Sequence, residues 1–394
     1  MQLSTKYSLV TATLIFAAQA SEEFISVQYL QYDEADNRTS VSAPSIMVKK
    51  DIGTDYSLKV NLVSDVISGA SQTYYDTASG ASAFSRGKGI TAANIKYDNI
   101  QYHDARVAGG LALTKRLQNR DELTFGANYS GESDFYSYEA SADYMHWLGT
   151  DKNQALSFGL SYQSNEVLVE CSFNSQCTNE NNVTIRSGAS EAMTYDVVNT
   201  EVSFRQNLNK NSYVKAAVFA MSESGYLSNP YLNVVEDYTG GGTANVVAER
   251  RPTSKFAFGT SIKYANALTE KLVQKTNYRF YSDDWGVNSH TVDAKFLYQA
   301  NNTWLLKFGA RYYTQSEADF YGGDLTSFSA TDAFASSDHR LAQYDSTNLS
   351  VGFDYKISEH YVYNLDIASY SQSASTGGNS LSAAYIVTGL KYKF

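Results

Sequence analysis

The chain has 394 residues, a formal net charge of −10, two cysteines, and 32 Tyr against 5 Met and 3 Pro. The acidic balance disfavours nucleic acid as a partner, because affinity there comes from Lys and Arg neutralising phosphates. The length would allow two or three soluble domains, but no linker composition separates them, and scarce proline with abundant tyrosine suits a chain made of hydrogen-bonded strands.

At the start, Lys6 precedes an apolar run from Tyr7 to Ala18 and the small-x-small triplet Ala18-Gln19-Ala20. This is the form of a secretory signal peptide over residues 1–20. The alternative, a membrane anchor, needs ~20 apolar residues, more than this run supplies. No later segment is long and apolar enough for a membrane helix. The rest, 21–394, reads as one domain.

Taken in order, the remaining chain shows sixteen runs of alternating residues separated by turn chemistry. They are Phe24 to Asp33, Val41 to Lys50, Asp55 to Val66, His103 to Arg116, Asp121 to Ser130, Tyr136 to Trp147, Ala155 to Glu166, Asp196 to Leu208, Ser212 to Glu223, Ser254 to Asn266, Leu272 to Ser282, Val287 to Gln299, Trp304 to Gln315, Tyr344 to Ile357, Tyr361 to Gln372 and Ser382 to Phe394. A long segment rich in Ser, Gly, Ala and Tyr separates the third run from the fourth, and further long loops cover 225–252 and 316–342. Between the seventh and eighth runs Cys171 and Cys177 sit in a polar stretch. In an exported protein such a pair reads as a local disulfide, the alternative being a metal pair that lacks a second Cys or His cluster.

The long connections follow odd-numbered runs and the short ones even-numbered runs. That is the phase of an outer-membrane barrel, with short periplasmic turns, long outer loops, an even strand number and both termini on the periplasmic side. Fourteen or eighteen strands remain open if two weak neighbours are miscounted. The last run ends on Leu390, Tyr392 and Phe394. It resembles the terminal strand of bacterial outer-membrane barrels, which the barrel-assembly machinery reads and which closes the sheet.

Alternation also assigns a water-facing side. Arg106, Glu139, Asp143, Glu201, Arg205, Lys263, Lys275, Arg279, Asp293, Lys295, Lys307, Arg311, Asp354, Lys356 and Asp366 share it, while Phe125, Phe158, Val202, Phe258, Phe296, Phe308, Phe353 and Ile367 take the other. A Lys or Arg turned to lipid at midplane costs ~2–4 kcal/mol. One-sided placement therefore points to a bilayer outside and a lumen of mixed charge inside; a two-layered sheet with one solvated face is the alternative.

Three clusters fall in the outer third. Asn229, Pro230 and Tyr231 are followed by Glu249, Arg250 and Arg251; Asp283, Asp284 and Trp285 are followed by His290; Gln315 is followed by Asp319 and Tyr321. At these residues, and at Asp65 to Ser71, the chain resembles an outer-membrane family catalogued as domain of unknown function 3570. The resemblance implies a barrel in the envelope of a Gram-negative bacterium and supplies no activity.

Asp283, Asp284, His290 and Asp319 could gather ligands at one mouth, although a transition metal would want more than one His. The competing reading has them fixing the outer loops through Arg250, Arg251, Arg279 and Arg311. Ser289, His290 and an Asp have the residue types of a hydrolase triad, but sequence neighbours on a strand face opposite ways. The run Gly240-Gly241-Gly242 lacks the strand-to-helix setting of a phosphate cradle. The expectation is a pore or the membrane component of a small transport or export system, with no cofactor and no enzymatic role. A plugged scaffold or receptor barrel for a periplasmic or surface partner is the first alternative, and an outer-membrane hydrolase the second.

Overall fold

The computed structural model describes residues 22–35, 38–76, 86–170, 177–178, 184–185, 190–238, 242–323, 328–374 and 380–394. Sixteen antiparallel strands form a closed ring: β1 (Phe24–Glu34), β2 (Thr39–Ile52), β3 (Tyr56–Asp76), β4 (Ile95–Arg116), β5 (Glu122–Gly131), β6 (Phe135–Leu148), β7 (Gln154–Glu170), β8 (Ser190–Asn209), β9 (Ser212–Gly225), β10 (Ser254–Ala267), β11 (Leu272–Asp283), β12 (Asn288–Gln299), β13 (Trp304–Gln315), β14 (Tyr344–Lys356), β15 (Tyr361–Ala374) and β16 (Leu381–Lys393). Each strand pairs with its chain neighbours. The ring closes where β16 meets β1, in register from Phe24 opposite Lys393 to Glu34 opposite Ala383. Closure leaves no sheet edge unpaired, which a strand crossing lipid requires.

Period-two alternation separates the two faces of the wall. Val27, Leu62, Phe125, Leu160, Val218, Phe258, Phe308 and Leu349 are exposed on the outside. The opposite face carries ion pairs: Arg106 to Asp65 at 2.8 Å, Lys215 to Glu201 at 3.2 Å, Arg311 to Asp293 at 3.2 Å, and Lys307 to Asp354 and Asp366 at 2.8 and 2.6 Å. An apolar exterior around a polar interior is the pattern of an outer-membrane barrel, and sixteen strands enclose room for water.

Short turns at one end are set by local side chains. Asn301 Oδ1 accepts from the amides of Thr303 and Trp304 at 2.8 and 3.0 Å. In the turn after β4, the buried Asp121 carboxylate accepts from Tyr144 Oη at 2.6 Å and from the Trp147 amide at 3.0 Å.

The other end departs from expectation. β3 and β4 have 21 and 22 residues, where ~9–11 cross the hydrocarbon. Their outer halves stand beyond the bilayer and stay paired up to Asp76 opposite Ile95. Of the Ser, Gly, Ala and Tyr-rich segment expected to be loop from Ile67 to about Ile100, the stretches 67–76 and 95–100 are therefore hairpin. Its small residues carry no apolar alternation to betray it. The N-terminal segment 1–20 lies outside the described residues, and so does Cys171, which leaves its pairing with Cys177 undescribed.

Candidate functional site: a capped outer mouth and a charged lumen

Three long connections, following β3, β9 and β13, meet. Asn233–Glu236 and Thr243–Ala248 from the second pair antiparallel and take Gly87–Thr91 from the first as a third strand. Ile90, Val235, Ala244 and Val246 bury against Tyr74 and Ile95 at the outer end of the β3–β4 hairpin. The third connection joins at Tyr74, whose hydroxyl donates to the Gly323 carbonyl at 2.8 Å. β9 and β13 each stand six strands from β3 around the ring of sixteen. Loops rooted so far apart touch only by crossing the mouth. Gln315, on the lumen face of β13, donates to the carbonyls of Arg340 and Ala342 at 2.9 and 2.7 Å, which draws that loop inward.

A buried knot of charge holds the cap together. Arg251 Nε lies 2.7 Å from Glu249 Oε1, and its Nη2 lies 2.7 Å from Asp338 Oδ2. Glu249 also accepts from the Asn229 amide and from Ser336 Oγ at 2.5 Å. Asp338 caps the short turn His339–Leu341 by accepting from the Arg340 amide at 3.0 Å, and pairs with the Arg340 guanidinium. Burial alone would raise the Asp338 carboxyl, but Arg340 and Arg251 hold it well below the usual carboxylate range. Burial pushes Glu249 up, against the pull of Arg251. Burial likewise pushes His339 down to about 4, opposed by Asp338 and assisted by Arg340 and Arg38.

The clusters read from sequence fall around this knot. Asn229 Oδ1 accepts from the Tyr231 amide at 2.9 Å, and the Pro230 carbonyl accepts from Arg86 at 3.1 Å. Arg86 also donates to Asn233 Oδ1 at 2.7 Å. Arg250 pairs with Glu236 at 2.5 Å and exchanges backbone hydrogen bonds with Ala335. Tyr321 lines the packed cluster of Trp285, Val287 and Ala318.

Asp283 accepts from the amides of Trp285 and Val287 at 3.1 and 3.0 Å, and Asp284 from the Phe256 amide at 3.0 Å. Asp319 sits against Gly286, where a Cβ would collide with it, and its amide donates to the Trp285 carbonyl at 2.8 Å.

His290 is the exception. It lies exposed on the outer face, sharing a 2.9 Å hydrogen bond with Tyr278, while Ser289 is buried on the lumen side. Strand alternation thus sends the His290 imidazole outward, away from Asp283, Asp284 and Asp319. Asp283 and Asp284 are turn-forming acceptors. Among the described residues, the acidic or imidazole groups close enough to hold a metal are instead Asp104, Glu132 and Asp134. Arg86, Asn233, Glu236 and Asp338 escaped sequence reasoning; the dense polar run Ser336-Ser337-Asp338-His339-Arg340 was the available signal.

The predicted lumen charges share the inner face. Beyond the pairs above, Glu139 accepts from Asn128 at 3.4 Å, Arg205 lies 4.4 Å from the Tyr213 ring centre, and Arg279 4.6 Å from that of Phe219. The signs are not mixed evenly. Glu139, Asp143 and Glu201 lie with Arg205 on β6 and β8, while β10 to β13 carry Lys263, Lys275, Arg279, Lys295, Lys307 and Arg311 with Asp293.

Fold and site together define an outer-membrane-type barrel whose outer mouth is covered by its own loops. The chain belongs to the family described as protein of unknown function (DUF3570), which it matches over residues 4–389. No curated protein matches it.

Among solved structures it is similar in fold to the ferric enterobactin receptor PfeA of Pseudomonas aeruginosa, at 12% identity and TM-score 0.44, over 91% of this chain and 54% of that one. It thus spans about half the length of that receptor. It is also similar to OccK5 (OpdH) of Pseudomonas aeruginosa, at 6% identity and TM-score 0.45, over 95% and 98% of the chains. A bacterial polysaccharide outer membrane secretin aligns at 7% identity and TM-score 0.47, over 95% and 99%. These likenesses are of fold alone.

Proposed function

We propose that this protein is a loop-gated passage for small solutes across the outer membrane of a Gram-negative bacterium, exported through its N-terminal signal peptide. Its C-terminal strand, ending on Leu390, Tyr392 and Phe394, is the segment offered to the barrel-assembly machinery. The observation that carries the reading is the cap. Its loops cross a polar lumen and are tied there by buried charges. Ion pairs at such depth stabilise little over an apolar core of similar shape, and their best-attested use is to fix one arrangement of a switchable element.

The reading assigns no cofactor and no catalytic role to Ser289, His290, Asp283 or Asp284. A second reading, favoured by the cap's packed apolar clusters, is a permanently closed barrel that holds a periplasmic or surface partner.

Single-channel recording of refolded protein in a planar bilayer distinguishes them. The passage reading expects a closed state with brief openings, and long openings in Arg251→Met. Silence in both proteins, each shown folded by heat-modifiable gel mobility, would leave only the closed scaffold.

A further inference from the structure

The positive sector of the lumen contains an arrangement that sheet stability disfavours. Lys275 on β11 and Lys295 on β12 are direct cross-strand partners on the lumen face, and both are exposed there. Like charges directly opposite one another destabilise a strand pair.

Two other lumen lysines have carboxylate partners. Lys215 opposes Lys263 but is bonded to Glu201, and Lys307 sits between Asp354 and Asp366. Lys49 opposes Lys59, yet each has a further partner. Asp293, two residues along from Lys295, is engaged by Arg311 at 3.2 Å and Asn277 at 3.2 Å. Among the described residues, neither Lys275 nor Lys295 has a carboxylate within ion-pair distance. Lys263, diagonal to Lys275 across β10 and β11, is in the same position.

Three ammonium groups thus face the lumen on adjacent strands, a few residues from the short-turn end. We propose that they form a binding step for a small organic anion bearing two or more carboxylate or phosphate groups. One acidic group would sit between Lys275 and Lys295, and a second would reach toward Lys263. Repulsion between the lysines is relieved only when the anion bridges them, so the unloaded wall is poised for it. This assignment rests on the passage reading for its purpose but not for its test.

The test is calorimetric titration of the refolded, detergent-solubilised barrel at constant ionic strength, with citrate and with inorganic phosphate as probes. Wild type is expected to bind at least one probe. Lys275→Gln/Lys295→Gln should weaken binding tenfold or more, while Lys49→Gln/Lys59→Gln, which removes the same charge elsewhere on the wall, should not. Heat-modifiable mobility reports folding of each variant.

Tighter citrate binding identifies a polycarboxylate and tighter phosphate binding a phosphate ester, either of which supports the site. No binding of either probe by wild type, or equal weakening in both double variants, overturns it. Anion binding by a barrel that stays silent in a bilayer would keep the site and remove the passage. Conductance without local anion binding would do the reverse.

Discussion

Replacing Arg251 by Met removes the centre of the charged knot while keeping most of its volume. Asp338 retains Arg340 as a partner, so the loss falls on Glu249, whose carboxylate is buried and whose cationic partner in the knot is Arg251. Breaking a buried pair by removing one side costs ~3–5 kcal/mol. At ~1.4 kcal/mol per tenfold, even ~3 kcal/mol raises the open population of the cap roughly hundredfold.

The amides of Arg250 and Ala335, which bond each other's carbonyls at 2.9 and 2.8 Å, report this directly. Their hydrogen exchange should accelerate roughly a hundredfold in Arg251→Met, while amides in β12 and β13 hold their rates. Neutralising the orphaned acid as well, in Glu249→Gln/Arg251→Met, should restore most of the protection. In that double variant the side-chain amide oxygen would still accept from the Asn229 amide, while its NH2 group, in the place of the other oxygen, would donate to Ser336 Oγ; replacing both members of a buried pair is often near neutral. Unchanged exchange in the single variant would show that the apolar clusters, and not the ion pairs, hold the mouth shut.

Acid should loosen the same cap. The closed cap holds His339 neutral, with its value down at about 4 against ~6.5 when free, so its contribution is complete above ~6.5 and is lost as pH falls toward 4. Glu249, pushed up by burial, acts in the opposite direction; comparison with His339→Gln isolates the histidine. Cap-amide exchange, corrected for intrinsic rates, should rise between pH 6.5 and 4 in wild type and less in the variant, and identical profiles would refute the assignment. Gly286 has φ +90° with Asp319 packed where a Cβ would stand. Gly286→Ala should therefore cost ~1–3 kcal/mol locally. It should speed exchange of the Asp319 amide while leaving the barrel heat-modifiable, and protection equal to wild type would mean that the turn shifts without strain.

Strand number, topology and charge-inward orientation were legible because they depend on short-range order. Alternation every second residue and the phase of long and short connections suffice, and the terminal strand's apolar face marks where the ring closes. The extent of β3 and β4 was hidden because Ser, Gly and Ala beyond Ile67 give alternation no contrast, although the backbone pairs there as well as anywhere. The cap was hidden for a different reason. Its contacts, such as Arg251 with Asp338 or Tyr74 with Gly323, join loops distant in sequence, and no local periodicity encodes them. His290 was misplaced despite a usable signal, since Val292 and Phe296 on the same parity already pointed outward.

The opposed lysines lie between these cases. Each alternates correctly and reads simply as a lumen charge; only the register shows that they meet. That register follows from the tight turn around Trp285, which pairs Ser282 with Asn288 and carries the ladder down to Lys275 and Lys295.

A lumen in which Lys307, Lys215 and Arg311 each have a carboxylate, while among the described residues Lys275, Lys295 and Lys263 have none within ion-pair distance, is not uniformly charged water space. The self-paired groups stiffen the wall, and the cations left over define where a solute can contribute the missing charge. The cap closes the opposite end with its own charges matched and buried. The two regions thus solve opposite problems. One keeps its counter-ions inside the protein so that it can shut, and the other leaves them out so that something else can bring them.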